Sequence, residues 1–110
     1  LTIFSDKQQR IYRIDKFKGP SSARGEFIDR VHKSHEFLRT LPGFIQDYVL
    51  EQIGRPGEFN LITIVIWNSM ESIEAARKAV TTKYEEIGFN PQEMYSRLGI
   101  KADLANYQEI

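Results

Sequence analysis

Arg13 and Asp15 stand two apart in RIYRIDKFK, the run from Arg10 to Lys18 in which charged and apolar residues mix. Its β-branched and aromatic content favours a strand. Strand alternation then puts Ile11, Arg13, Asp15 and Phe17 on one face and Tyr12 and Ile14 on the other. If Tyr12 and Ile14 turn toward the helices, Arg13 and Asp15 point to the opposite side of the sheet, where an unpaired charge is costly. The two charges then have three uses: pairing with each other or across a dimer, orienting an ionisable substrate, or, in the opposite register, exposure to solvent. His32 and His35, three apart with Glu36 beside them, have a spacing that can share a metal. Without further ligands the pair reads as partly buried or surface histidines, and no metal site is expected. Tyr48, Tyr84, Tyr95 and Tyr107 are phenols able to donate hydrogen bonds or act as weak acids. Tyr95 is the best placed for a site, because the short segment Pro91–Leu98 can lie over a pocket mouth.

The elements that must position these groups follow from periodicity. Gly19-Pro20 ends the first strand, and Ser21 or Ser22 can cap a helix with Phe27, Val31, Leu38 and Leu41 along its buried face. Pro42-Gly43 stops that helix. Phe44–Ile53 and Glu58–Trp67 read as antiparallel strands joined by the turn Gly54-Arg55-Pro56-Gly57. Asn68 with Glu71 resembles a capping box for a helix carrying Ile73, Ala76, Val80 and Ile87 and ended by Gly88. Pro91 to Leu98 forms a short helix before Gly99, and Ala102 to Gln108 a last strand. Residues 1–8 show neither period and are expected to be a flexible lead-in or an extra edge strand.

A chain of 110 residues makes one domain with one core. Fifteen basic and fifteen acidic residues cancel, so the positive excess that nucleic acid binding needs is missing, and no nucleic-acid partner is expected. The absence of cysteine excludes disulfides and thiolate chemistry and leaves the cytoplasm as the default location. The longest apolar run, Leu61 to Trp67, is far shorter than the about 20 residues that span a bilayer, so no membrane segment is expected. The chain opens at Leu1 with no leader pattern, which leaves a removed leader and a missing initiator residue both open.

The predicted order, strand-helix-strand-strand-helix-strand, is the ferredoxin-like α+β arrangement, with a four-stranded antiparallel sheet and both long helices on one face. The strand Glu58–Trp67 is apolar on both sides. An uncovered face bearing Phe59, Leu61, Val65 and Trp67 would be a large exposed patch, which predicts a homodimer packed through the sheet faces.

The stretch Leu41-Pro42-Gly43-Phe44, the run ending Ile66-Trp67-Asn68-Ser69 and the helix Met70 to Tyr84 resemble the antibiotic biosynthesis monooxygenase family from about Arg10 onward. The resemblance implies a dimeric α+β barrel with a ligand pocket in each protomer, and relatives that include cofactor-free oxygenases of aromatic polyketides, quinol oxygenases and haem-degrading enzymes. The cofactor-free oxygenases are similar in carrying a tryptophan at Trp67, with an asparagine four residues earlier where this chain has Thr63. Residues 63 and 67 share a strand face, so the placement is kept while an amide becomes a hydroxyl. The histidine that serves haem-degrading relatives as axial ligand has no counterpart between Met70 and Asn90.

The expectation is a cofactor-independent monooxygenase of a small electron-rich aromatic, with Trp67, Thr63, Arg13, Asp15 and Tyr95 binding substrate. The alternative is a non-catalytic small-molecule-binding or structural dimer of the same fold, and a haem-binding role ranks below both.

Overall fold

The computed structural model describes residues 9–54 and 57–110. The expected lead-in at residues 1–8 and the hairpin residues Arg55 and Pro56 lie outside the described residues. The elements are β1 (Ile11–Pro20), a 3-10 turn (Ser21–Ala23), α1 (Arg24–Leu38), β2 (Phe44–Glu51), β3 (Glu58–Trp67), α2 (Met70–Ile87), α3 (Pro91–Leu98) and β4 (Lys101–Tyr107). The four strands form one antiparallel sheet in the order β2-β3-β1-β4, the ferredoxin-like α+β arrangement with β1 and β3 central. The β1–β4 ladder sets Tyr12 opposite Tyr107, and the Tyr12 hydroxyl donates to Glu109 at 2.6 Å.

Two helix starts differ from the expectation. Ser21 and Ser22 fall inside the 3-10 turn, and no side chain caps α1. Ser69 caps α2 in place of Asn68, accepting from the Ser72 backbone N–H at 3.1 Å. Asn68 is committed elsewhere: its N–H donates to the Gly43 carbonyl at 2.9 Å, and its Oδ1 accepts from the Ser72 hydroxyl at 2.5 Å. Gly43 sits at φ 87°, and a Cβ there would collide with Ser72, so the turn before β2 needs glycine to fit beneath the start of α2.

The largest correction concerns which face of the sheet the helices cover. Phe59, Leu61, Val65 and Trp67, expected on the open face, are all buried beneath the helices, each 4% exposed or less. The open face instead carries Ile62, Ile64 and Ile66 of β3 with Tyr12 and Ile14 of β1. Alternation defines two apolar sets on β3 without saying which one meets the helices, and volume decides it. The bulkier set fills the deeper layer, helped by Gly19 opposite Phe59, where an added Cβ would lie 3.0 Å from the Phe59 ring. Arg13 and Asp15 share their face with buried Ile11 and Phe17, so they too point at the helix layer and not at the open side.

The core beneath the helices falls into two clusters. One gathers Phe17, Phe27, Val31, Phe59, Leu61 and Met94, with Phe27 edge-on to Phe17 at 4.8 Å and stacked on Phe59 at 5.8 Å. The other gathers Ile11, Val65, Trp67, Ile73 and Ala76. Phe27 is 1% exposed and touches both central strands. Phe27→Ala should therefore lower stability by about 3–5 kcal/mol, read as a shift of the urea midpoint at unchanged slope.

Candidate functional site

Between the two apolar clusters the covered face of the sheet carries a polar band. Antiparallel register sets Asp15 beside Thr63 on β3 and Leu104 on β4, and sets Arg13 beside Val65 and Asn106. Arg13 Nε donates to Asp15 Oδ1 at 2.8 Å, and Nη1 reaches Asn106 Oδ1 at 3.4 Å. The two charged side chains stay 34% and 21% exposed, because a cavity of about 500 Å³ opens above them between the sheet and α2. Its floor is Arg13, Asp15, Val65, Trp67 and Asn106, and its far wall is the apolar stripe Ile73, Ala76 and Val80 of α2. Glu74, Arg77 and Glu85 stand on the same helix around the mouth, and Tyr84, whose hydroxyl lies 2.7 Å from that of Ser34, closes one side. The volume suits a small molecule, and the mixture of apolar wall with a few convergent polar groups is that of a ligand pocket.

Burial raises the Asp15 carboxyl above its ordinary range, and the positive charge and hydrogen bond of Arg13 counter only part of that. The Tyr95 phenol is pushed up to about 12 by burial first and by the negative charge of Asp15 second, so it stays protonated at neutral pH.

Of the five residues expected to bind substrate, Arg13, Asp15 and Trp67 line this cavity. Thr63 is 4% exposed and lies within the sheet as the register partner of Asp15, outside the cavity lining. Tyr95 packs on Phe17 at 5.9 Å and Phe27 at 6.3 Å, on the side of Asp15 that belongs to the first cluster. Trp67 is 2% exposed, with its ring edge-on to Phe44 at 5.9 Å.

A second polar group lies where β2 meets α1. His35, 5% exposed, sets Nδ1 2.8 Å from Asp47 Oδ2, and Arg39 donates to the same carboxylate through Nε at 3.2 Å and Nη2 at 2.8 Å. Burial tends to raise the Asp47 pKa, but the hydrogen bonds from Arg39 and His35 outweigh it and hold the carboxyl below its ordinary range. His32 is exposed. Among the described residues no three His, Cys, Asp or Glu side chains gather in a way that could hold a metal ion.

Sequence reasoning missed Asp47 and Asn106. The available signal was parity: Asp47 alternates with Val49 on the inward side of β2, and Asn106 falls in step with Ala102 on β4.

The antiparallel sheet with its helices on one face defines a ferredoxin-like α+β protein with a pocket under its second helix. The family model of antibiotic biosynthesis monooxygenases matches residues 10–83, and the chain belongs to that family. No curated protein matches it. Among solved structures it is similar to a provisionally assigned monooxygenase of Shewanella loihica PV-4, with 20% identity, coverage of 93% of this chain and 95% of the other, and a TM-score of 0.69. It is also similar to SnoaB, a cofactor-independent oxygenase from Streptomyces nogalater, with 13% identity, 93% and 94% coverage and a TM-score of 0.61. A dimeric ferredoxin-like protein from an uncultured marine organism has 10% identity, 93% and 96% coverage and a TM-score of 0.71. Among the described residues no helix is long and apolar enough to cross a membrane.

The Asp47 arrangement has a definite pH signature. A carboxyl held below its unfolded-state pKa adds stability that is present above the unfolded value and lost as pH falls through the folded one. Asp47→Asn should cost about 2 kcal/mol at pH 7, and urea titrations at successively lower pH should show the gap to wild type closing in acid.

Proposed function

We propose that the chain is a cofactor-independent monooxygenase of a small electron-rich aromatic such as a phenol, quinol or polyketide-like compound, working as a homodimer. The observation that carries this reading is the cavity in which Arg13, Asp15 and Trp67 face an apolar wall, large enough for a substrate of one or two rings. In such chemistry the substrate supplies its own electrons. The site has to deprotonate it, hold the anion with fixed donors and let it meet dioxygen away from bulk water. Arg13 and Trp67, which line the cavity, are the candidate donors of this reading, and Thr63 lies outside the lining. Belonging to a monooxygenase family and sharing a fold with a cofactor-independent oxygenase support the same reading.

Oxygen uptake with a panel of anthrones, catechols and hydroquinones tests it. Wild type should consume oxygen with at least one member, and Trp67→Phe should lower kcat by about 100-fold if the indole N–H holds the developing anion. Uptake insensitive to both Trp67→Phe and Thr63→Ala would remove this pocket from the mechanism. A second reading, a non-catalytic small-molecule-binding dimer, draws on the deep burial of Thr63 and Trp67, which suits packing. It is the outcome if panel members bind without oxygen uptake.

The homodimer reading rests on the open sheet face. Rows run across it from Tyr48 through Ile64 and Ile14 to Ala105, and from Gln46 through Ile66 and Tyr12 to Tyr107. Tyr48, Ile62, Leu50 and Tyr107 on this face are between 37% and 49% exposed in the isolated chain, an apolar extent that lone proteins rarely keep. Two copies packed face to face would close the α+β barrel and cover it. Light scattering after size exclusion should give twice the chain mass at micromolar concentration, and Ile64→Lys should give the single-chain mass.

A further inference from the structure

We propose that Asp15 takes the substrate's proton and that Arg13 is the counter-cation which passes from Asp15 to the new anion, so that the cavity selects a phenol or hydroquinone with an ionisable hydroxyl. This rests on the monooxygenase reading and supplies the base it requires. The geometry leaves the carboxylate half engaged. Arg13 Nε holds Oδ1 at 2.8 Å, whereas among the described residues Oδ2 accepts no hydrogen bond, and the side chain stands in the cavity floor.

The surroundings favour the transfer. Facing Asp15 on the covered side are Arg13 on its own strand, Thr63 on β3, Leu104 and Asn106 on β4, His35 on α1, Tyr84 on α2 and Tyr95 on α3. The negative charge of Asp103, register partner of Lys16, acts on it from the open side of the sheet. Glu74, Arg77 and Glu85 stand farther out at the mouth. Burial already favours the neutral acid at Asp15, which makes its carboxylate a stronger base than an exposed one.

In the step itself the substrate O–H bond breaks, its electron pair stays on the phenolate oxygen, and the proton bonds to Asp15 Oδ2. Before the step the cavity holds guanidinium and carboxylate; afterwards it holds guanidinium, phenolate and a neutral acid. One half-buried ion pair replaces another, and no net charge has to be created in a partly desolvated place. A substrate without an acidic hydroxyl has nothing to exchange with the pair and is rejected.

Two measurements on wild type, Asp15→Asn and Asp15→Glu test this, with circular dichroism melts showing that each variant is folded. In the first, kcat for oxygen uptake is followed against pH with a hydroquinone. Wild type should lose rate in acid with a midpoint above the ordinary carboxylate range. Asp15→Asn should lose about 10²–10⁴-fold in kcat together with that acid limb at nearly unchanged KM, and Asp15→Glu should regain part of the rate. An Asp15→Asn enzyme with wild-type kcat and the same limb overturns the assignment while leaving the monooxygenase reading in place.

The second measurement needs no turnover. 4-Nitrophenol is added in weak buffer at a pH where it is neutral in solution, and phenolate absorbance and proton release are recorded together. Wild type should show the phenolate band with no proton released, and Asp15→Asn should release one proton for each phenolate bound. Loss of the phenolate band in Asp15→Asn also supports the assignment, whereas a phenolate band in both proteins with equal proton release per phenolate overturns it, even if no oxygen uptake is found with any compound.

Discussion

The arrangement depends on a polar band laid across the covered face of a sheet that is otherwise apolar there. Thr63, Asp15, Arg13 and Asn106 occupy neighbouring register positions on β3, β1 and β4. Charges in such a place are tolerated only when paired and partly wet. The 2.8 Å pair of Arg13 and Asp15 meets the first condition, and the cavity meets the second. The band therefore accounts for three features together: a core in two clusters, a cavity between the sheet and α2 above the charges, and a carboxyl whose pKa burial raises.

The second buried ionic group shows how a different balance produces a different result. Asp15 has one cationic partner at hydrogen-bond distance and one oxygen free of hydrogen bonds among the described residues, and burial prevails. Asp47 has two partners, His35 and Arg39, and they prevail over burial. Both carboxylates stand on inward positions of the same sheet, yet the pKa of one is lowered and that of the other raised. Heavier desolvation at Asp15 and the additional donors at Asp47 separate them, and sequence alone supplies neither.

Element order and the limits of most elements were legible, because each rests on local signals: Gly19-Pro20, the stripe from Phe27, the alternation of Phe59 to Trp67, and Gly88 and Gly99 as helix ends. The joining of Arg13, Asp15 and Trp67 was legible in part, since alternation groups residues on a face. Which face meets the helices was not. Both sides of β3 are apolar, and the choice turns on how Phe27, Met94 and the bulkier β3 side chains fill a shared volume, a property of three dimensions. Asn68 was misjudged as the cap of α2 for a related reason: its hydrogen bonds go to Gly43 and Ser72 in a turn that forms only when β2 and β3 lie side by side.

The ladder that sets Tyr12 opposite Tyr107 has a kinetic side. β1 is a central strand whose two neighbours both come late in the chain: Ile11 aligns with Trp67, and Lys18 with Lys101. Neither contact can form until a long, floppy loop has been closed, and that entropy is lost before any apolar burial at the sheet centre offsets it. The hairpin of β2 and β3 and the three helices can assemble locally, but the half of the sheet that carries Arg13 and Asp15 is completed by the most distant contacts. Folding should accordingly be slow for the size of the chain, on the order of milliseconds to seconds, with the pocket among the last regions to become native.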